Sequence, residues 1–268
     1  MHRASGLPLT LALAALVCGC GRHPSTDSPS PLQLRAMKFE RAMPGCGKEG
    51  KEPCATFHVE WQEVVKAPTA EARTRINAAI QAHLQPKEAP HGFEAESQAF
   101  FDAFSKFHKE FPESEISFFV RRSAEIEFSN GALLCVLVNR EESSGGAMPF
   151  REWTNLNLRP DTGEEVRLEG LLNDGAMPEL TAAVEGQFRA DHSIAAGKPL
   201  SEAGFLFPQD TFALSRNWGA EPGGLRFTYN QYEIAPGAEG PTVVFVDWAK
   251  IGKLLRARSG IGPGAARK

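Results

Sequence analysis

Between residues 56 and 255 the chain switches repeatedly between two hydrophobic periods. In residues 56–65 (TFHVEWQEVV), Phe57, Val59 and Trp61 fall on alternate positions with His58 and Glu60 between them, the pattern of a strand with one buried face. Pro68 and Thr69 follow, and Ile76, Ala79, Ile80 and Leu84 then share one helical face, so a helix is predicted with Thr69 as its N-cap. A second helix is predicted over residues 94–111. Its stripe is Phe100, Phe101, Phe104, Phe107 and Phe111, and Pro112 ends it; a core-facing stripe is the expectation, a ligand groove the alternative.

From residue 115 onward the pattern is mostly that of strands. Residues 117–122 and 124–128 run into Ser129-Asn130-Gly131, a tight hairpin turn, and residues 132–140 return. The returning segment is apolar on both faces, which places it centrally in a sheet covered on both sides, with a helix over one of them. Residues 153–158 alternate again, turn at Pro160-Asp161-Thr162-Gly163 and lead to a strand over residues 166–172. Residues 178–190 read as a helix with Leu180, Val184 and Phe188 inward and Pro178 in its first turn. Residues 212–214, 225–229 and 242–246 supply closing strands, and residues 250–255 a short terminal helix. The class is α+β: a mixed, mainly antiparallel twisted sheet with two to three helices packed on it.

The start of the chain has a different character. Arg3 precedes an apolar run over residues 7–17, and Val17-Cys18-Gly19-Cys20 follows. A charged end, an apolar segment too short to span a membrane and a small residue before a cysteine make up the layout of a bacterial lipoprotein signal. The segment resembles the lipobox, with Cys20 as the lipidated residue because Gly19 is small whereas Val17, before Cys18, is β-branched. An ordinary secretory signal is the alternative. The expected organisation is a signal peptide over 1–19, a Pro/Ser-rich tether over 20–37, one domain over 38–256 and a disordered tail over 257–268. Gly21 follows the lipidated cysteine in place of the aspartate associated with inner-membrane retention, so the protein is expected in the outer membrane, facing the periplasm. No later stretch has the length and apolarity of a membrane span.

Composition narrows the chemistry. The formal net charge is −4 over 268 residues, and the basic residues are scattered, which excludes a nucleic-acid surface. Cys46 and Cys54 flank a short loop and are expected to form a disulfide in an oxidising compartment, contributing about 2.5 kcal/mol in the chain-entropy model; a metal site with His58 is the alternative. Cys135 lies in an apolar run and is expected to be a buried thiol. The chain has no Gly-x-Ser-x-Gly elbow, phosphate loop, His-Glu-x-x-His, Gly-x-Gly-x-x-Gly or Cys-x-x-Cys. Glu141-Glu142 point to opposite faces of a strand and cannot act as a pair, so a solvated edge is expected there. Asp191-His192 lacks a nucleophile. No catalytic set, metal or cofactor is expected.

One resemblance adds to this. Gly145-Gly146-Ala147-Met148-Pro149, followed by residues 153–158 and Asp161-Thr162-Gly163, resembles the Gly-Gly-Ala-His-Pro segment and Thr-Gly turn of the RsiV/PdaC-type extracytoplasmic domain family. This family is shared by RsiV anti-sigma factors, the N-terminal domain of PdaC peptidoglycan deacetylases and a secreted mycobacterial antigen. Residues 224–236 (GLRFTYNQYEIAP) with Gly240 are similar to that family's most recognisable stretch, and residues 243–255 resemble its closing strand and helix. Met148 stands where the family often has histidine, and Gly237 follows Pro236 where an aromatic is common, so the following loop should present less contact area.

At these positions a structural role is expected. Gly145 and Gly146 would take positive backbone angles, Pro149 would fix the exit, and Tyr232, Glu233 and Pro236 would lock a turn, with Glu233 accepting backbone donors. Direct recognition by the same loop residues is the alternative. The resemblance does not extend to a deacetylase domain or a sigma-binding segment, so it implies recognition in the envelope. RsiV binds lysozyme, and the implied partner is a lysozyme-like muramidase or another wall-active protein, which a mildly acidic inhibitor or immunity factor would meet with complementary charge. A peptidoglycan- or glycan-binding envelope lipoprotein is the alternative, and an enzyme using a carboxylate such as Glu233 ranks third.

Overall fold

A computed structural model describes residues 32–44, 46, 53–237 and 240–263; the signal and Cys20 lie outside this range. Its elements group around two cores. The first is built on a five-stranded sheet of β1 (Gln33–Ala42), β2 (Ala55–Lys66), β3 (Phe118–Ser129), β4 (Leu134–Ser143) and β5 (Phe150–Leu158), in that spatial order. Neighbours are antiparallel except β2 and β3, which are parallel. A parallel pair needs a crossover, and helices α1 (Ala70–Leu84) and α2 (Phe93–Glu110) provide it.

The crossover helices form where the apolar periodicity predicts. The Thr69 hydroxyl accepts from the Ala72 N–H as the N-cap of α1, which buries Ile76, Ile80 and Leu84. On α2, Phe101 and Phe104 are buried, Phe100 and Phe107 pack at the margin, and the rings of Phe100, Phe104 and Phe107 surround Phe118 at centroid distances of 5.9, 5.2 and 5.2 Å. Phe111 alone of the stripe escapes to solvent. Both helices cover the sheet face that carries Phe57, Val59, Val120, Leu134 and Val136.

The second core lies on the other side of β4. A small antiparallel sheet of β6 (Trp218–Glu221), β7 (Gly224–Tyr229) and β8 (Thr242–Asp247) packs with α4 (Met177–Asp191) and α5 (Trp248–Ile251) around Phe188, Phe207, Phe212, Tyr229 and Val244. Phe128, Leu133 and Cys135 belong to this core, whereas Leu134, Val136 and Val138 belong to the first. The apolar character of β4 on both faces thus reflects a strand shared between two cores, with α1 and α2 over one face and the small sheet over the other. The fold is α+β, as the sequence pattern predicts, with its strands divided between two sheets.

Several segments depart from the expectation. Residues 33–37 belong to β1 rather than to a tether, and Leu32 is buried at its start; β1 is an edge strand whose first four residues are exposed, and only from Met37 does it alternate in burial. Residues 166–172 contain the short helix α3 (Leu168–Leu171) and no strand, residues 212–214 are not a strand, and the four-residue β6 takes that place. Part of the expected tail packs: Ile261 is 6% exposed against the second core, and the Asn130 amide donates to the Gly260 carbonyl at 2.7 Å. The domain therefore runs from 32 to at least 263. Cys46 and Cys54 are joined, with Cα atoms 5.6 Å apart, tying the end of β1 to the start of β2. Among the described residues, no helix is long and apolar enough to cross a membrane.

Candidate functional site

β5 lies at the edge of the large sheet, where free N–H and C=O groups would invite a further strand. Side-chain amides occupy them instead. The N–H groups of Arg151, Trp153 and Asn155 donate to Gln231 Oε1, Asn230 Oδ1 and Asn217 Oδ1, each at 2.8 Å, and the Trp153 carbonyl accepts from the amides of Asn217 at 2.6 Å and Asn230 at 3.1 Å. Asn157 donates to the Trp218 carbonyl at 2.6 Å. The Asn230-Gln231 pair, at the centre of the most recognisable stretch of the sequence, is thus used as a sheet-edge cap.

The rest of that stretch shapes the cap into a turn. Glu233 Oε2 accepts from the Asn230 N–H at 2.7 Å, as expected, and the Gln231 amide donates to the Gly237 carbonyl at 2.7 Å. Tyr232 takes φ +67°, is 68% exposed and lays its ring across Gly237, where a Cβ would overlap it. An aromatic at 237 would meet that ring, which accounts for the glycine. Pro236 is exposed. Tyr229 is buried and donates its hydroxyl to the Ala213 carbonyl at 2.8 Å; burial raises its pKa well above the ordinary phenol value.

The other loop reaches the same place. Gly145 has φ +97°, and a Cβ there would lie 3.2 Å from the Phe118 ring. Gly146 has no positive φ, so only one of the two glycines is required by conformation. Pro149 leads directly into β5, whose first residue, Phe150, is exposed, as is Met148. The Arg151–Gln231 hydrogen bond joins this segment to the Tyr232 turn, and the Leu206 N–H donates to the Ile234 carbonyl at 2.7 Å, adding Leu206, 68% exposed. Met148, Phe150, Leu206 and Tyr232 are four of the eight exposed large hydrophobic residues among those described, so the two loops concentrate apolar surface at one end of β5. Leu206 sits between the buried Phe205 and Phe207, and Phe150 follows Met148-Pro149, so nothing in the sequence separates these two exposed residues from buried ones.

The titratable groups are mostly engaged structurally. Glu142 accepts from Arg122 at 2.8 Å on the helix-covered face, and Glu141 accepts from Arg151 at 2.9 Å on the other. They lie on an interior strand in ion pairs, not at a solvated edge. Arg122 is buried and also binds Glu96 at 2.7 Å and the Leu84 carbonyl at 2.9 Å. Asp191 accepts from Gln187, and His192 packs on Phe188 and Phe205. Cys135 donates to Asn157 Oδ1 at 3.0 Å and accepts from the Ala220 N–H at 3.3 Å, and burial pushes its thiol up to about 12. No group of three His, Cys, Asp or Glu side chains that could hold a metal occurs among the described residues. Concavities among the described residues include a cleft of about 1110 Å³ between the two cores, bordered by His83, Arg167 and Arg216, and a hollow of about 400 Å³ on the open face of the large sheet.

Residues 169–249, most of the second core, match the family model described as a protein of unknown function, DUF3298. No curated protein matches the chain. Crystal structures similar to it in fold include two of DUF3298 proteins. A member of the DUF3298 family from Bacteroides fragilis superposes with a TM-score of 0.66 at 18% identity, over 89% of this chain and 97% of that one. A DUF3298 family protein from Pseudomonas aeruginosa superposes with a TM-score of 0.63 at 14% identity, over 87% and 99% of the two chains. The chain thus carries a DUF3298 match in its second half and shares its fold, over most of its length, with DUF3298 proteins.

Proposed function

We propose that this protein is a non-enzymatic binding protein, held at the outer membrane by lipid on Cys20 and facing the periplasm, and that it inhibits a lysozyme-like muramidase or another wall-active protein. The observation that supports this reading is the convergence of the two loops at the end of β5. Their polar residues, Asn230, Gln231 and Glu233, are used up in holding the loops together, and their apolar residues, Met148, Phe150 and Tyr232, are left to solvent. A rigid sheet presenting exposed aromatics is a suitable base for a protein interface, where such residues act as anchors. The formal charge of −4 favours encounter with a basic partner.

The test is capture of muramidases by the purified chain, together with a turbidity assay of wall lysis at low salt. Binding is expected, and Tyr232→Ala or Phe150→Ala should weaken it by about 30-fold, the loss of one anchor residue. Failure to capture or inhibit any muramidase overturns the reading. Anchoring is tested separately: Cys20→Ser should move the protein from the membrane to the soluble fraction, and retention in the membrane would refute lipidation at that residue.

A further inference from the structure

The large sheet is covered on both faces only where β4 begins and β5 ends. There β6 lies over Cys135 and Asn157. Beyond that contact, the face opposite α1 and α2 is open and forms the hollow of about 400 Å³. Strand register fixes what lines it. In one row His58 of β2 opposes Arg121 of β3, Arg121 opposes Glu141 of β4, and Glu141 opposes Arg151 of β5; in the next row Glu60, Ser123, Asn139 and Trp153 follow in the same order. Adjacent strands stand about 4.8 Å apart, so each row is a line of side chains in reach of one another.

The two ends of these rows differ in charge. At the β5 end, Glu141 receives Arg151 at 2.9 and 3.0 Å and Arg121 at 3.4 Å. Two guanidinium groups share one carboxylate, so one positive charge is uncompensated, and the arginine side chains, 42% and 61% exposed, keep N–H donors directed to solvent. Arg121 also lies over the Phe119 ring at 4.3 Å, which fixes its plane. At the β1 end the balance reverses: Lys38 pairs with Glu40 at 2.6 Å, and His58 stands 3.8 Å from Glu40 and 3.4 Å from Glu60. Beside the positive end is Trp153, half-buried, its backbone held by β4 on one side and by Asn217 and Asn230 on the other.

We propose that this hollow is a saccharide site whose occupant is a hexose ring carrying a carboxylate. The apolar C–H face of the ring would lie on the Trp153 indole, the carboxylate would accept from Arg151 and Arg121, and ring hydroxyls would meet Asn139 and Ser123 on the two strands next to Trp153. Charge-assisted bonds to guanidinium are the strong, directional element of such a site. A peptide is the poorer fit: the lining has one aromatic and no deep apolar pocket for a side chain, and the adjacent edge of β5 is closed to strand addition by the amide caps. The site is separate from the protein-binding end proposed above and does not depend on it.

The experiment is a titration of the purified chain, followed by tryptophan fluorescence and calorimetry, with two acidic probes, oligogalacturonate and the disaccharide of N-acetylglucosamine and N-acetylmuramic acid, against the neutral chitobiose. Saturable binding of at least one acidic probe is expected, with chitobiose about tenfold or more weaker, as for loss of one charge-assisted contact. Arg151→Gln should bring the acidic probe to the neutral level, and Trp153→Ala should abolish binding of both while Trp153→Phe retains part of it. Circular dichroism of each variant reports the fold. Equal binding by wild type and Arg151→Gln, or no saturable binding of either acidic probe, overturns the proposal. Capture of a muramidase by Arg151→Gln at the wild-type level keeps the two proposals apart.

Discussion

Cys135 shows how much of a residue's role depends on partners distant in sequence. An apolar run predicts its burial, and it is 3% exposed. The same run contains no hint that its sulfur bridges Asn157 of β5 and Ala220 of β6, because both partners are brought by other parts of the fold. Its thiol titrates at about 12 when folded, against an ordinary value of 9.0, chiefly because burial disfavours the thiolate. Above pH 9 the unfolded chain loses this proton while the folded chain keeps it. The stabilisation is therefore complete below pH 9 and is lost as pH rises toward 12; the raised Tyr229 hydroxyl acts in the same direction. Urea midpoints between pH 8 and 11 should fall, and Cys135→Ala should fall with a shallower slope even though it starts lower. An unchanged slope would mean that the thiol is not shielded from solvent. Glu141 and Glu142 give a parallel lesson: strand alternation correctly sends them to opposite faces, but the arginines that hold them come from neighbouring strands, and pairing partners are not written in local sequence.

The elements most legible in the sequence are those with a broad apolar face. α1, α2, α4, β2 and the β3–β4 hairpin all bury regular stripes, and each lies within a few residues of its predicted position. β1 and β6 are the counterexamples. β1 buries no residue fully and turns only Met37, Phe39 and Arg41 inward, and β6 is four residues long and held by its neighbours, so the periodic trace each leaves is too short to stand out. The candidate site was legible only in part for the same reason. The resemblance over residues 145–149 and 224–236 points to the right loops, but their chemistry is divided by the edge of β5, which takes the polar residues as caps. This makes Asn217 a sensitive position, since its one amide serves the Asn155 N–H, the Asn155 side chain and the Trp153 carbonyl. Asn217→Ala should destabilise the fold by about 1–3 kcal/mol by leaving these groups without partners. It should also open the edge to pairing with a second copy. Thermal melting and light scattering would measure the two effects, and a variant as stable and monodisperse as wild type would show that water replaces the cap at no cost.

At the scale of the whole molecule, the boundary between the two cores runs through a strand. The match to DUF3298 covers residues 169–249, which by itself would mark an independent domain. Its core, however, includes Phe128, Leu133 and Cys135 from the β3–β4 hairpin, and Arg226 of β7 is paired with Glu127 of β3 and accepted by Asn155 Oδ1 at 2.8 Å. Removing the large sheet would strip apolar cover from one side of the small sheet and leave a three-stranded sheet with one principal helix, Leu225 and Phe227 losing neighbours they now bury against. Small sheets need such cover to be stable alone. A chain comprising residues 168–263 should therefore lack a cooperative melt and near-ultraviolet circular dichroism. The intact chain should unfold in one transition, coincident by far-ultraviolet circular dichroism and by tryptophan fluorescence, because both cores hold helices, α1 and α2 in the first and α4 and α5 in the second, both hold tryptophan, and both are built on β4. Two separated transitions, or a native-like fragment, would show that the cores fold as independent units and that β4 is a contact between domains, not the shared centre of one.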